Sequence, residues 1–410
     1  MMANTSLPLG WKESRLEDFL VPTLRKVEKP SSGYRRLGIR SHGKGTFITD
    51  VEDPEDVAMT HLYEVTSGDL IVNITFAWEG AIALVKPDDE GALVSHRFPT
   101  YVFRKDRVDP NYFKYTIVTK RFVHALANIS PGGAGRNRVM SKKDFIKLKV
   151  LLPPIPEQHK IAEILGTWDE AIRLTADLIA AKQQRKKGLM QRLLTGEVRF
   201  PGFEGRPWRE VLFGQVTSFL KGYSYSSSDY SEHPTSKNFI TLKCVGKGGG
   251  FQISGMKYLI GDVPTNFHVK EGDLIFANTD LTRDAEVVGA PILVPQLPGA
   301  FSAISMDLTK VETKGSLEIM FLYYLMQIST VRNYMRARAS GSTVLHLDVN
   351  ACKKLPLLIP DSLEEQRKIA TLFQACDREI DLLQQKLAAL QQQKKGLMQR
   401  LLTGEVRVTL

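Results

Sequence analysis

The stretch KKGLMQRLLTGEVR occupies residues 186–199 and occurs again without a change at residues 394–407, a separation of 208 residues. The same separation relates Glu157-Gln158 to Glu365-Gln366. A block of roughly forty residues is therefore present twice, with a period of about half the chain, whereas solenoid repeats have periods of roughly 20–50 residues. The pattern predicts two similar halves.

Each copy of the block has the periodicity of a coiled-coil helix. Apolar side chains recur at alternating spacings of four and three residues, as a and d positions do. Gly188 and Gly396 interrupt each helix at a cost of about 1 kcal/mol, so the sequence predicts close packing around them. The predicted seam positions are Ile161, Leu165, Trp168, Ile172, Thr175, Ile179, Lys182, Lys186, Leu189 and Leu193, then Ile369, Phe373, Cys376, Ile380, Leu383, Leu387, Leu390, Lys394, Leu397 and Leu401.

A long amphipathic helix needs a partner, and the second copy of the block provides one. The sequence thus predicts an α+β protein in which two mixed α/β domains are joined by two long helices, paired as an antiparallel coiled coil with approximate two-fold symmetry. The alternative is that each helix packs into a single large core. The predicted segments are a first domain at 1–155, a first helix at 156–199, a second domain at 200–362 and a second helix at 363–410.

Outside the block the two halves diverge, although short motifs recur. Gly68-Asp69-Leu70-Ile71 recurs as Gly272-Asp273-Leu274-Ile275, and Trp11 has a counterpart in Trp208. Short β-rich runs between Gly, Pro, Asn and Asp predict strands and turns. An unchanged block beside divergent segments indicates that one surface is held fixed while another varies.

Composition favours a soluble protein with a polyanionic partner. The 410 residues carry 55 basic and 45 acidic side chains, a net charge of +10, and basic residues cluster at 29–47 and 132–143. Three cysteines without a C-x-x-C pair argue against disulfides and a zinc site. Neither a signal peptide nor a membrane span is predicted, so the expected location is the cytoplasm.

Motifs of catalysis and cofactor binding are missing. The sequence has no P-loop, no H-E-x-x-H and no G-x-S-x-G pattern. Asp109-Pro110-Asn111-Tyr112 comes nearest to the motif of adenine methyltransferases but lacks its second proline. We therefore expect a recognition protein or adaptor without a cofactor, a metal or a catalytic residue of its own.

Several motifs resemble the specificity subunit of type I restriction–modification systems. The resemblance covers nearly the whole chain. Its most specific parts are LPPIPEQHKIAEIL (152–165), IPDSLEEQRKIATLF (359–373) and both copies of KKGLMQRLLTGEVR. Further similar stretches are FPGFEGRPW (200–208), KGYSYSSSDY (221–230), GDLIFANTD (272–280), SGSTVLHLD (340–348), SHGKGTF (41–47) and GAIALV (80–85). Because GGAGRNRVMS (132–141) departs from the SGST form, the two domains are expected to belong to different subfamilies.

The resemblance implies a division of labour among several subunits. Each domain would read half of a bipartite site in double-stranded DNA, and the helices would space the domains and dock two modification subunits. Those partners would bind S-adenosylmethionine and methylate adenine, and restriction subunits would add ATP-driven translocation and cleavage. This chain would supply specificity without catalysis.

Residue chemistry selects the side chains expected to contact DNA, since Arg pairs with guanine, Lys with phosphate, and Asn or Asp with adenine or cytosine. A solvated loop is the alternative for each of them. In the first domain the candidates are Tyr34, Arg35, Arg40, His42, Lys44, Arg136 and Arg138. In the second they are Tyr223, Tyr225, Asn278, Thr279, Asp280, Arg283, Ser342, Thr343 and His346.

A further expectation concerns partners. Docking of modification subunits is assigned to the exposed flanks of the helices, for which a solvated flank is the alternative. The candidate docking residues are Arg185, Lys187, Gln191 and Arg192, with the equivalents Gln393, Lys395, Gln399 and Arg400.

Three other functional classes remain open. They are a non-enzymatic coiled-coil scaffold, the specificity module of a methylation-only system, and a self-contained DNA-modifying enzyme.

Overall fold

A computed structural model describes residues 7–132, 138–282, 284–315 and 317–409. The chain divides into two compact units, of which the first combines 1–176 with 385–410 and the second contains 177–384. Each unit thus contains the first part of one long helix and the last part of the other. Across the described ranges, none of the helices has the length and apolar character that a bilayer-spanning helix needs.

The first unit is built on two sheets. The order is β2-β10-β7-β8 in a four-stranded sheet and β3-β6-β9-β4-β5 in a five-stranded sheet, while β1 pairs with β11. The strands are β1 Lys12–Arg15, β2 Leu20–Thr23, β3 Arg25–Glu28, β4 Tyr34–Ile39, β5 Thr46–Val51, β6 His61–Glu64, β7 Leu70–Val72, β8 Ile82–Leu84, β9 Leu93–Val94, β10 Thr100–Phe103 and β11 Lys149–Leu152. The helices are α1 Pro110–Thr116, α2 Lys120–Asn128, α3 Lys142–Phe145 and α4 Ile155–Leu193, which continues into the second unit.

The second unit repeats the four-stranded sheet and the isolated strand pair of the first, and differs in its other sheets. Its four-stranded sheet has the order β13-β22-β18-β20, and five-stranded β14-β16-β15-β21-β17 and three-stranded β19-β24-β23 sheets accompany it. The strands are β12 Trp208–Leu212, β13 Thr217–Lys221, β14 Tyr230–Ser231, β15 Lys237–Ile240, β16 Lys257–Leu259, β17 His268–Val269, β18 Leu274–Ala277, β19 Thr279–Asp280, β20 Pro291–Leu293, β21 Phe301–Ile304, β22 Leu308–Thr313, β23 Ala339–Ser340, β24 Leu345–Leu347 and β25 Pro356–Pro360, which pairs with β12. The helices are α5 Phe213–Val216, α6 Ile319–Leu325, α7 Ser329–Arg336, α8 Val349–Cys352 and α9 Leu363–Leu402.

The long helices run antiparallel within each unit. In the first unit Asp169 of α4 contacts Lys394 of α9, and Glu157 contacts Arg407 beyond the end of α9. In the second unit Lys186 of α4 contacts Asp377 of α9 at 2.5 Å. In the first unit, residue numbers fall along one helix as they rise along the other, which requires opposite directions. The predicted fold class, two mixed α/β domains with paired antiparallel long helices, is confirmed.

The heptad seam lies where its spacing predicts. All of the twenty seam side chains are buried or half-buried, whereas positions between them, such as Glu163 and Arg185, are exposed. The lysines of the seam are half-buried against acids: Lys182, for example, contacts Glu379 at 2.5 Å. A charged group at a seam position specifies register because only the correct partner neutralises it.

The end of each repeat packs on a tryptophan. Gly196 has φ +76°, and a Cβ there would lie 3.3 Å from the Trp208 ring. Gly404 has φ +71°, and its Cβ would lie 3.4 Å from the Trp11 ring. Because the two glycines occupy the same position in the repeat, the predicted equivalence of Trp11 and Trp208 is confirmed.

The close packing predicted around two helix glycines is wrong. A Cβ built on Gly188 or Gly396 meets no described atom within 4 Å outside its own helix turn. The helix nevertheless forms, since the seam contacts and the helix-favouring neighbours outweigh the local cost of a glycine. Nothing within the described chain therefore requires glycine at these two positions.

The repeated Glu-Gln pair fastens each long helix to its domain. Gln158 Oε1 accepts a 2.9 Å hydrogen bond from the Asp109 amide, at the start of α1. Gln366 Oε1 accepts one of 2.8 Å from the Glu318 amide, at the start of α6. Helix starts have amides that lack intrahelical acceptors, so the same amide side chain satisfies the same position in both domains.

Candidate nucleic-acid interface

The hairpin between β4 and β5 gathers three of the predicted residues of the first domain. Its residues Arg40, His42 and Lys44 are all exposed. The His42 amide donates to the Glu79 carbonyl at 2.7 Å, and His42 has φ +62°. Ser41 Oγ donates to Glu79 Oε2 at 2.9 Å. The basic loop is therefore fixed on the turn that follows β7.

The remaining candidates on β4 lie at its other end. Tyr34 pairs with Val51 at the start of the strand, and Arg35 donates to the Asp88 carbonyl. Since each residue of a strand advances about 3.3 Å, Tyr34 and Arg35 are well separated from the hairpin. Tyr34 instead lines a cavity of about 300 Å³ together with Phe47 and Met59.

An arginine and a tryptophan add a second element beside the basic hairpin. The Arg138 guanidinium lies 5.3 Å from the centre of the Trp78 ring, within cation–π distance. Trp78 Nε1 donates to the Thr75 carbonyl at 3.2 Å, and Arg97 donates to Thr75 Oγ1 at 3.2 Å. The predicted DNA contacts include Arg138 but neither Trp78 nor Arg97. Arg136 lies outside the described residues.

The second domain brings predicted residues together around one cavity. Thr279 of β19 is directly opposite His346 of β24. Both side chains and Asn278 line a cavity of about 430 Å³, whose wall also includes Lys221 and Asp307. Ser342, Thr343 and His346 are exposed.

The strand side of this cavity is buried, contrary to the expectation of direct base contacts. Asn278 Oδ1 accepts from Thr309 Oγ1 at 2.7 Å. Asp280 is fully buried, and its carboxylate accepts from the amides of Thr282, Val287 and Val288 at 2.5–2.7 Å. Side-chain chemistry suggested an adenine and a cytosine contact, but internal donors and acceptors already occupy these groups. Arg283 lies outside the described residues.

The two predicted tyrosines of the second domain, Tyr223 and Tyr225, also make contacts within the domain. The Tyr223 ring packs edge-on against Phe267 at 5.5 Å, and the Tyr225 ring lies 5.0 Å from Phe239. Tyr225 Oη donates to Asp307 Oδ2 at 3.3 Å. Burial and then the Asp307 charge raise the pKa of Tyr225. Both phenols are half-buried, and their rings are part of an aromatic cluster that packs within the domain.

We expect Asp280→Ala to lower the free energy of opening of the loop that follows β19 by about 3 kcal/mol, because three buried amides lose a charged acceptor. Hydrogen exchange at Val287 and Val288 measures the loss, and Asp280→Asn should lose roughly half as much. Unchanged protection in the Ala variant would contradict this role.

The same carboxylate gives a pH dependence. Burial favours the neutral acid, but hydrogen bonds from Thr282, Val288 and Val287 outweigh it and lower the pKa of Asp280. A folded-state pKa below the unfolded value stabilises the loop above about pH 4, and this stability is lost as the pH falls through the folded-state pKa. Asp280→Asn should remove that acid sensitivity.

The last candidates are groups of possible metal ligands and the predicted docking residues. Among the described residues no group of three or more His, Cys, Asp or Glu side chains is arranged to hold a metal ion. The eight candidate docking residues are exposed: they are Arg185, Lys187, Gln191, Arg192, Gln393, Lys395, Gln399 and Arg400.

Comparisons with known proteins agree with the resemblance in the sequence. Residues 8–182 and 265–392 match the family described as the type I restriction modification DNA specificity domain. The type I restriction enzyme MjaVIII specificity subunit of Methanocaldococcus jannaschii is 23% identical, over 99% of this chain and 95% of that protein.

Two crystal structures share the fold. The S subunit of the type I restriction–modification system of M. genitalium has a TM-score of 0.58 at 14% identity and covers 98% of each chain. The HsdS subunit of Thermoanaerobacter tengcongensis has a TM-score of 0.50 at 20% identity, over 98% of this chain and 99% of that one. The chain belongs to the specificity subunits of type I restriction–modification systems.

Proposed function

We propose that this chain is a non-catalytic specificity subunit in which each domain reads one half of a bipartite DNA site. The long helices set the gap between the half-sites and dock two modification subunits. One observation carries the proposal: the two domains share the strand order of their four-stranded sheet but differ in their exposed loops, while a stretch of 14 residues that begins in each long helix is identical. Two domains that bind different DNA sequences, and two helix surfaces that bind the same partner, would explain why the loops differ while the helix segments are identical.

The exposed basic hairpin supports DNA reading by the first domain. Arg40 and Lys44 present positive charge, and His42 adds a hydrogen-bonding ring, on a short loop that backbone contacts hold in place. Phosphate contacts give sequence-independent affinity, while a guanidinium in the major groove distinguishes guanine. In the second domain Ser342, Thr343 and His346 are the exposed side chains among the candidates that the structure describes.

The activity itself would come from the partners. Two modification subunits would bind S-adenosylmethionine and methylate adenine, which must leave the base stack to reach them. Restriction subunits would add translocation and cleavage. The same division of labour serves a methylation-only complex in the cytoplasm, and this chain contributes specificity to either.

Adenine methylation mapped across a genome, with and without the chain and its modification subunit, tests this proposal. We expect one bipartite motif that depends on the chain. Methyl transfer by the isolated chain would instead identify an enzyme, and assembly with the partner without DNA binding would identify a scaffold.

Arg40→Ala is expected to relax one position of the motif by about 1–3 kcal/mol, because a base-reading side chain acts on one base pair. Lys44→Ala should weaken binding evenly over all sequences if it pairs with phosphate. An unchanged motif and unchanged affinity in Arg40→Ala would remove that residue from the interface.

Two open glycines support docking on the identical segments. Gly188 and Gly396 lower helix stability without a described contact that requires them, which fits the close approach of another subunit at both copies. Gly166 of α4 is equally open, but its counterpart in α9 is Gln374. Gly166 is therefore a matched control.

We expect Gly188→Gln to stabilise the isolated chain by about 0.5–1 kcal/mol, since glutamine favours helix. The added side chain should also weaken assembly with modification subunits by more than about tenfold, or 1.4 kcal/mol. Gly166→Gln should give the first effect without the second. Thermal unfolding and sedimentation of the mixture measure the two, and equal assembly of both variants would contradict docking at Gly188.

A further inference from the structure

The two domains share a frame around one loop. In the first domain the loop joins the neighbouring strands β7 and β8, and in the second it joins β18 and β20. Asn73 and Asn278 directly follow the first strand of each pair, and Gly80 and Gly289 precede the second. We call residues 74–79 in the first domain, and residues 281–282 with 284–288 in the second, the reading loops. Arg283 lies outside the described residues.

Equivalent helices hold both loops. Gly80 has φ +75°, and a Cβ there would lie 3.2 Å from Val123 of α2. Gly289 has φ +68°, and its Cβ would lie 2.6 Å from Met335 of α7. The backbone of each loop therefore lies against the helix, and glycine meets both the positive φ and the close approach.

The second loop has additional anchors from α7. Arg332 Nη2 donates to the Glu286 carbonyl at 2.9 Å, and Arg336 Nε donates to the Ala285 carbonyl at 2.9 Å. Together with the buried carboxylate of Asp280, these contacts fix the main chain of Thr282 and of residues 285–288. A loop held this firmly presents its outward side chains in a defined geometry.

A second segment meets the chain near the start of each loop. The Met140 amide donates to the Ile74 carbonyl at 2.8 Å, and the Leu347 amide donates to the Asn278 carbonyl at 2.8 Å. Both segments then enter short helices, α3 and α8. These segments contain the predicted residues Arg138 and His346, so the loops adjoin the side chains already assigned to DNA reading.

On this shared frame the two loops expose different apolar side chains. Phe76 is 37% exposed in the first loop, which reads ITFAWE, and Leu281 is 67% exposed at the start of the second, which reads LTRDAEVV. Neither side chain is needed to fill the core of its domain. A large side chain held exposed on a rigid loop can contact a ligand without rearrangement of the loop.

We propose that the reading loops contact the nucleobases of the two half-sites, with Phe76 in the first domain and Leu281 in the second as specificity-determining residues. An apolar side chain in the major groove distinguishes thymine by its C5-methyl group. Trp78 acts as a positioning residue, since the Arg138 guanidinium packs on its ring. This inference rests on the proposed function and adds the residues that separate the specificities of the two domains.

The experiment compares Phe76→Ala and Leu281→Ala in the full chain assembled with its modification subunit. Each complex selects sites from a pool of random duplex DNA, and the bound DNA is sequenced. The controls are Leu24→Ala and Ile260→Ala, which change side chains of 57% and 60% exposure on other elements of the two units. Thermal unfolding of all four variants excludes a structural cause.

We expect Phe76→Ala to reduce base preference about tenfold at one position of one half-site, and Leu281→Ala to do so only in the other half-site. The controls should keep the wild-type motif. An even loss over all sequences, an unchanged motif, or the same change in a control would overturn the inference. If the wild-type complex selects no bipartite site, the proposed function fails instead, so the two failures are distinguishable.

Discussion

Arg199→Met is expected to lower the free energy of unfolding of the second unit by about 3–5 kcal/mol, because it leaves a buried carboxylate without its charge partner. Glu365 is 1% exposed, and its two oxygens accept from Arg199 Nε at 2.5 Å and Nη2 at 2.7 Å. Arg199 also lies 5.4 Å from the centre of the Trp208 ring. Among the described atoms nothing accepts from Trp208 Nε1, so the tryptophan does not share in neutralising the acid.

The other copy of the repeat supplies the matched control. Arg407 binds Glu157 in the same way at 2.7 and 2.8 Å, but Glu157 also accepts from Trp11 Nε1 at 3.1 Å. The Arg407 side chain is 42% exposed. Water and the indole therefore compensate in part, and Arg407→Met should destabilise the first unit less than Arg199→Met destabilises the second.

Unit-specific hydrogen exchange in increasing denaturant separates the two effects, since a chain of two units need not unfold in one step. The double variant Arg199→Met with Glu365→Leu should recover most of the loss, because an apolar pair carries no desolvation cost. If Arg407→Met proves the more damaging single change, the argument from burial is wrong.

Periodicity predicted the long helices because a seam is a local property of sequence. Spacings of four and three residues place ten side chains of each helix on one face, and the structure buries or half-buries all of them. The spacing does not reveal which acid neutralises a lysine such as Lys394. That pairing depends on the antiparallel register, which fixes contacts between residues more than 200 positions apart.

Chemistry by residue type was a poorer guide to the candidate interface. Asn278 and Asp280 were selected because amides and carboxylates read bases, but both side chains are buried and hydrogen-bonded within the second domain. Phe76 and Trp78 were not among the candidates, because the selection favoured charged and polar side chains and tyrosines. The recurring Gly-Asp-Leu-Ile motif was the available signal, since it aligns the loops that follow β7 and β18.

Asp377→Ala is expected to cost the second unit about 1–3 kcal/mol, because it breaks a half-buried network that joins three helices. Asp377 of α9 accepts from Tyr324 Oη of α6 at 2.8 Å and from Lys186 Nζ of α4 at 2.5 Å. The Tyr324 hydroxyl and the half-buried Lys186 would both lose their charged acceptor. In the first unit Asp169 accepts from Tyr115 at 2.6 Å and from Lys394, so Asp169→Ala should have the same effect there.

Alkaline unfolding provides an independent readout of this network. Burial and then the Asp377 charge raise the pKa of Tyr324 well above its usual range. The folded state therefore keeps a proton that the unfolded state loses near pH 10, and stability must fall as the pH rises above that value. Tyr324→Phe should flatten the fall in the second unit without changing the first. An unchanged alkaline profile in the second unit would show that the Tyr324 phenol ionises as readily in the folded chain as in the unfolded one, and the network would lose its basis.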